Sequence, residues 1–270
     1  MKKLMAILFL SSPLLFAVEE LSDASPEVIE ENYQKALAAY QNRQYNESLD
    51  HIRHVIKSSM LNYKLRMLAA HNHWRLGNAI PAEQHFRTAI EGKPEELGAR
   101  IDLSLLYLGT GSSSKAEKAA RDALKAAEGK SIPAKLYNIL SRISLQKGDA
   151  KAAIEYATLA KGAYEKNQVG IKDQLEAIVL EGRANIQLQD FSSAEILLSW
   201  ASEIKPDSAY IINLQGYLYE QWAASENDAA KKAELRSRAS AHYLKSASRS
   251  DISAELKSIA EANGKRTAAP

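Results

Sequence analysis

An all-α solenoid is the fold class that the sequence predicts, and three observations predict it. From Ile29 onward one pattern of small and large side chains recurs every 34 residues. It is plainest in the small residue that opens each second helix: Ser48, Ala82 and Ala116, then Ala153, Ala194 and Ala239 at looser spacing. The 12 glycines and 7 prolines fall mostly between apolar segments, and no stretch alternates as a strand would. Finally, a chain of 270 residues that is 46% hydrophobic buries a substantial core. One helix pair of this length cannot bury its own apolar face, so it needs a neighbour on each side.

The chain opens Met1-Lys2-Lys3, runs apolar from Leu4 to Phe16, and reaches Ala17 before Val18-Glu19-Glu20. A basic start, a short apolar run and a small residue make residues 1–17 a secretory signal peptide. The run is shorter than the roughly 20 residues that span a bilayer. That makes a retained anchor the weaker reading beside cleavage near Ala17, although Leu15 is larger than the residue a cleavage site favours three positions before the cut and leaves the exact site less fixed than the export. With no cysteine there is no lipid-attachment residue, and the expected location is the periplasm. Residues 18–28 read as a linker, acidic enough from Val18 to Pro26 to lie in the protein's own groove.

The first copy, 29–62, has Ala36 small in its first helix and Tyr45, Ser48, Ile52 and Val55 in its second. The next, 63–96, carries Ala69-Ala70, a Gly77-Asn78 turn, Ala82, Phe86, Ala89 and Pro94. Small residues let paired helices approach, glycine releases the chain from the first helix, and proline cannot continue the second. Copies 97–130 and 134–167 repeat this with Ser104, Gly111 and Ala116, then Ser141, Gly148 and Ala153. Seven added residues around Asn167-Gln168-Val169-Gly170, about two helical turns, precede copy 175–208, with Gly182, Asp190, Ala194 and Pro206. In the last copy, 209–248, eleven added residues make about three turns and preserve the buried face. A break at 225–228 and a long helix from Ala229 to about Ser248 are expected. A closing helix over 249–263, with Asp251 as its cap and Ile252, Leu256 and Ile259 as its apolar face, follows, and 264–270 reads as a disordered tail.

These copies resemble the tetratricopeptide repeat family over residues 29 to about 248. The resemblance implies a right-handed superhelix of about six helix pairs with a C-terminal capping helix. Asn32, Arg66 and Arg100 depart from the large residue that the family favours at the fourth position. In that family the first helices of successive repeats line a concave groove, faced by positions 2, 5, 9 and 12. Position 9 here reads Leu37, His71, Leu105, Arg142, Arg183 and Tyr217. The lysine, asparagine and arginine set with which some members clamp a terminal carboxylate does not map, since Tyr33, Leu37, Leu68, Gly98 and Asp102 stand there.

Arg142 and Arg183, with Lys135 and Asn138, therefore form a basic, amide-bearing strip suited to a carboxylate or an acidic peptide. Pairing of the same arginines with Glu176 or Glu181 is the structural alternative. Tyr33, His71 and Trp74 with Leu37, Met67 and Leu105 make the earlier groove mixed and partly apolar, as an amphipathic helix would require. Tyr217 joins Tyr33, Trp74 and Tyr210 as an aromatic candidate. Trp74, Trp200 and Trp222 are otherwise expected in packing.

The composition also excludes. Zero cysteines leave no disulfide, thiolate nucleophile or thiolate metal site. The six histidines lack the company a metal needs, and His51, His85 and His242 share position 23 as a recurring structural residue. No phosphate loop, zinc-protease motif or nucleophile elbow is present. No catalytic residue, metal or cofactor is expected. Without Lys2 and Lys3 the chain carries 33 basic and 33 acidic residues, which gives no drive toward nucleic acid. The expected function is a non-catalytic scaffold for a protein or peptide partner in envelope assembly, secretion or pilus biogenesis. Two alternatives stand beside it: a small-ligand or cell-wall-glycan binder, and a structural homo-oligomer. The last arises because residues 18–62 hold eight acids and four bases, whereas 229–270 hold nine bases and four acids. That basic end is also a candidate for peripheral membrane or envelope contact.

Overall fold

In the computed structural model the described residues are 24–57, 62–129, 131–167 and 170–268. Among them are thirteen α-helices, one 3-10 turn and no strand. The expected signal peptide, and residues 18–23 of the expected linker, lie outside the described residues. The chain divides into two compact units, Met1–Met60 and Leu61–Pro270.

The first unit holds α1 (Pro26–Gln41) and α2 (Tyr45–Val55). Helix α1 begins at Pro26 rather than at Ile29, so the last residues of the expected linker are helical. The reason is local: Ser25 Oγ accepts from the Val28 N–H at 3.4 Å, and proline in the first turn forfeits no helical hydrogen bond. Ser48 of α2 donates to the Ala36 carbonyl of α1 at 2.7 Å.

The second unit contains α3 (Tyr63–Arg75), α4 (Ala79–Gly92), α5 (Gly98–Gly109), α6 (Ser113–Ala126), α7 (Ala134–Gln146), α8 (Ala150–Lys166), α9 (Leu175–Gln187), α10 (Phe191–Ile204), α11 (Ala209–Ser225), α12 (Ala229–Ala247) and α13 (Ala254–Ala268). Each odd helix from α3 to α11 pairs with the even helix after it, and each even helix packs on the next odd one. In addition α5 meets α7, α7 meets α9 and α9 meets α11, so the first helices form a continuous inner layer of this unit.

Small residues set the pairing distance. At repeat positions 8 and 20 a hydroxyl crosses from one helix to the other: Ser104 donates to the Ala116 carbonyl at 2.9 Å and Ser141 to that of Ala153 at 2.8 Å. Glycine takes position 8 where a bulky partner leans in, since a Cβ on Gly216 would stand 2.8 Å from the Tyr243 ring. The core between pairs is filled by Phe86, Leu106, Leu136 and Ile139 in the earlier repeats, and by Ile178, Leu198 and Leu218 in the later ones.

Every first helix from α1 to α9 ends the same way. Position 15 takes a left-handed backbone at Arg43 (φ 63), Gly77 (φ 78), Gly111 (φ 72), Gly148 (φ 78) and Gln189 (φ 61). The next N–H then reaches back to the third-last carbonyl of the helix, as from Asn78 to His73 and from Asp190 to Asn185.

The seven additional residues before Leu175 lengthen α8 to 17 residues and add a 3-10 turn, Ile171–Gln174. At the C-terminus two expectations change. Asp251 does not cap the closing helix: its carboxylate accepts from the Ala209 N–H at 3.2 and 3.3 Å, at the start of α11, and Ser253 caps α13 by accepting from Leu256 N–H. Residues 264–268 are not a disordered tail but the last turns of α13. Gly264 permits the close approach of Leu244, its carbonyl accepts from Ser240 Oγ at 2.8 Å, and Thr267 is buried.

Candidate functional site

The inner layer of the second unit carries a cleft of about 420 Å³, lined by Trp74, Leu105, Leu108, Arg142, Gln146 and Arg183. These residues come from α3, α5, α7 and α9. Positions 9 and 12 of a helix lie almost one turn apart on one face, so successive first helices bring them to a common surface. Trp74 closes one side, held edge-on against Phe86 with ring centroids 6.3 Å apart. Leu105 and Leu108 give an apolar floor, and the two guanidinium groups stand opposite.

Most charge on this layer is already matched, along a staircase that descends one repeat at a time. Asp102 of α5 takes His71 Nε2 at 2.9 Å and Lys135 Nζ at 2.8 Å, bridging α3, α5 and α7. Burial alone would raise its carboxyl, but these donors and the Lys135 charge outweigh that and hold it below the usual carboxylate range. Glu176 of α9 receives Arg142 at 2.9 Å and Asn138 Nδ2 at 3.2 Å from α7. Glu181 is taken by Lys161 of α8 at 2.5 Å. Among the described residues Arg183 meets no carboxylate: its Nη1 reaches only the Tyr210 hydroxyl, at 3.4 Å. The Arg142–Glu176 pair is 46% and 41% exposed, which makes it weak and exchangeable.

The structure thus brings Trp74, Arg142 and Arg183 to one cleft, while His71, Lys135 and Asn138 serve neighbouring ion pairs of the same layer. Asn138 is buried. Tyr217 of α11 is exposed, as is Tyr210, seven residues earlier on the same helix at repeat position 2. Tyr33 belongs to the first unit, where it lies half-buried on α1. Of the tryptophans expected in packing, Trp222 stacks on Phe191 at 5.7 Å, whereas Trp200 is exposed on α10. Sequence reasoning did not select Asp102, Leu108 or Gln146 for this layer. The clue for Asp102 was its offset: positions 9, 6 and 2 of three consecutive repeats meet at one carboxylate.

A second groove, of about 800 Å³, lies among α4, α5 and α6. Two of its cations are engaged by its own side chains: Arg87 donates to the Tyr107 hydroxyl at 3.0 Å and to Glu83, and the Lys115 ammonium sits 5.4 Å from the Tyr107 ring centroid, while Arg100 donates to the Pro94 carbonyl. The inner cleft, where Arg142 and Arg183 line the same space as Trp74, Leu105 and Leu108, is the candidate ligand site.

No family model matches the sequence, and no curated sequence matches it. Solved structures do. The chain superposes on Cut9 of the APC/C hetero-tetramer Cut9–Hcn1 with a TM-score of 0.72 at 16% identity, covering 92% of this chain. It spans less than half of that protein, 44%. PilW, a type IV pilus biogenesis factor, gives 0.66 at 16% identity over 87% of this chain and 99% of PilW. A tetratricopeptide repeat protein from Parabacteroides merdae gives 0.60 at 13% identity over 88% and 99%.

Proposed function

From the tetratricopeptide repeat fold of this chain, we propose that it is a non-catalytic adaptor that holds a protein or peptide partner against its inner layer. The observation that carries this reading is Arg183, a cation at a partly apolar cleft whose partner among the described residues is a hydroxyl and not a carboxylate. An acidic side chain of the partner would form a two-pronged contact with Arg183 and compete with Glu176 for Arg142, while Trp74, Leu105 and Leu108 take apolar side chains beside it. The apolar run from Leu4 to Phe16 supports export, and the likeness to a pilus biogenesis factor supports a role in envelope assembly, secretion or pilus biogenesis.

The test is crosslinking in the envelope with a photoreactive residue at Gln146, in the wild type and in Arg142→Glu/Arg183→Glu. A discrete crosslinked species lost on charge reversal supports the adaptor. The same species retained in full sinks the cleft as the binding site. A second reading, a cell-wall fragment stacked on exposed aromatic rings, is favoured only by Tyr210, which takes Arg183, and Tyr217 on the same helix, 47% and 44% exposed. Titration calorimetry with soluble wall fragments separates it, because binding lost in Tyr210→Ala/Tyr217→Ala points to glycan.

A further inference from the structure

The end of the second unit carries a groove that the inner layer does not use. Helix α13 turns back along α12, with Gly264 against Leu244 and Thr267 buried near its end. Among the described residues no helix covers the first turns of α12 beyond α13, and a groove of about 710 Å³ opens there beside Thr267 and Ala268, with Ala229, Ala233, Ser237 and Leu244 along it. Ala229, Ala233 and Ser237 are exposed and Leu244 is 49% exposed. In a repeat array this is where the next helix pair would pack.

Two cations flank the groove, Lys232 and Arg236, one helical turn apart. Like charges at this spacing repel, and both side chains lack a carboxylate partner among the described residues: Lys232 reaches only the Glu226 carbonyl, at 3.3 Å. Neighbouring cations do have partners, Lys231 with Glu226 and Arg238 with Glu195. An acidic amphipathic helix is therefore the complement of this surface, with carboxylates one turn apart and a small apolar side chain between them.

The chain itself contains such a helix. On α1, Glu27 and Glu31 are spaced by one turn, Glu30 adds a third carboxylate, and Val28 on the same surface is 43% exposed. Among the described residues Glu31 is held by Lys35 alone, an exposed pair at 2.7 Å that exchange would cost little. Among the described residues Glu27, Val28 and Glu31 are all exposed on α1.

We propose that α1 of a second copy docks in the α12 groove, its Glu27 and Glu31 on Lys232 and Arg236 and its Val28 on the alanine floor. The contact joins different surfaces of the two copies, so it propagates head to tail and gives either a closed ring or an open filament. This contact is independent of the inner cleft.

Sedimentation velocity of the purified protein over a wide concentration range, at low and high salt, tests it. The expected result is a mass that rises with concentration and falls with added salt. Lys232→Glu/Arg236→Glu and Glu27→Lys/Glu31→Lys should each weaken association about tenfold or more, with helix content and melting unchanged by circular dichroism. An equimolar mixture of the two variants should regain it, because every α1 then finds a groove of opposite charge. A monomer at all concentrations overturns the proposal, as does association that neither reversal affects. Association lost only on reversing the groove overturns α1 as its occupant.

Discussion

At the scale of single residues, the backbone turn at repeat position 15 is a place where the chain departs from its own best solution. Gly77, Gly111 and Gly148 adopt the left-handed conformation without a Cβ clash, whereas Arg43 and Gln189 hold it as L residues. Arg43→Gly and Gln189→Gly are expected to raise stability by roughly 0.5–1 kcal/mol each, the relief of strain outweighing the extra freedom of the unfolded chain. Urea midpoints check this, and a fall would mean that those side chains contribute contacts of their own. The three glycines made this turn readable in the sequence; Arg43 and Gln189 did not, because nothing in their chemistry announces a positive φ. His85 offers a second residue-level prediction. Burial first, then the charges of Arg66 and the stacked His73, pull its ring down to about 4, and Arg66 Nη1 donates to its Nδ1 at 3.2 Å. The unfolded ring, near the ordinary 6.5, gains a proton that the folded ring refuses, so stability rises with pH across this window and is lost as pH falls from about 6.5 to 4. For a half-buried ring the loss is discounted for solvent screening to about 1–2 kcal/mol. Urea unfolding at pH 7.5 and 4.5 should show a larger drop for the wild type than for His85→Gln, with the carboxylates common to both. An equal drop would mean that His85 is protonated in the fold.

At the scale of helices, the same latch joins successive pairs in two places. Tyr107 and Tyr219 both stand at position 11 and engage a glutamate at position 21 of the preceding repeat, Glu83 and Glu195. In the second latch the Tyr219 hydroxyl donates to Glu195 at 2.7 Å and accepts from Arg238 at 2.6 Å, and the guanidinium lies 4.0 Å from the Tyr219 ring centroid. Burial and the neighbouring carboxylate push the Tyr219 phenol up to about 12. Tyr219→Phe should cost about 1–2 kcal/mol, much of it absent in a Glu195→Gln background, which a double-mutant cycle in thermal melts would read. Additive effects would show that the two groups act separately. The helices themselves were legible, because apolar spacing and small-residue columns set them locally. Latches and inner-layer ion pairs were not, since they join residues about 20 to 40 apart whose meeting depends on the pitch of the array. Asp251 shows the limit: its place ahead of an apolar segment suggested a cap for α13, yet the carboxylate is spent on α11.

At the scale of the molecule, stability is carried by contacts between neighbouring pairs, so distant repeats need not unfold together. Trp74 in α3 and Trp222 in α11 sit far apart in that sequence of contacts. Variants that retain one or the other as the sole tryptophan should give unequal urea midpoints by fluorescence, each with a slope shallower than one cooperative transition of 270 residues requires. Coincident transitions would instead mark a single cooperative block. The fold class was legible at this scale from one period, whereas the groove along α12 was not, because it depends on how α13 folds back against that helix. The C-terminal end is also closed upon itself. Asp251 holds the Ala209 N–H, Ser246 Oγ holds the Ala209 carbonyl at 2.8 Å, and Arg249 pairs with Asp207. All three span about 40 residues and fasten the exit of α12 to the entrance of α11, like a belt buckled at its own starting hole. Fraying, which in an open array peels one helix at a time, must here release α11 and α12 together, whereas α13 follows these contacts in the chain and can detach without breaking them.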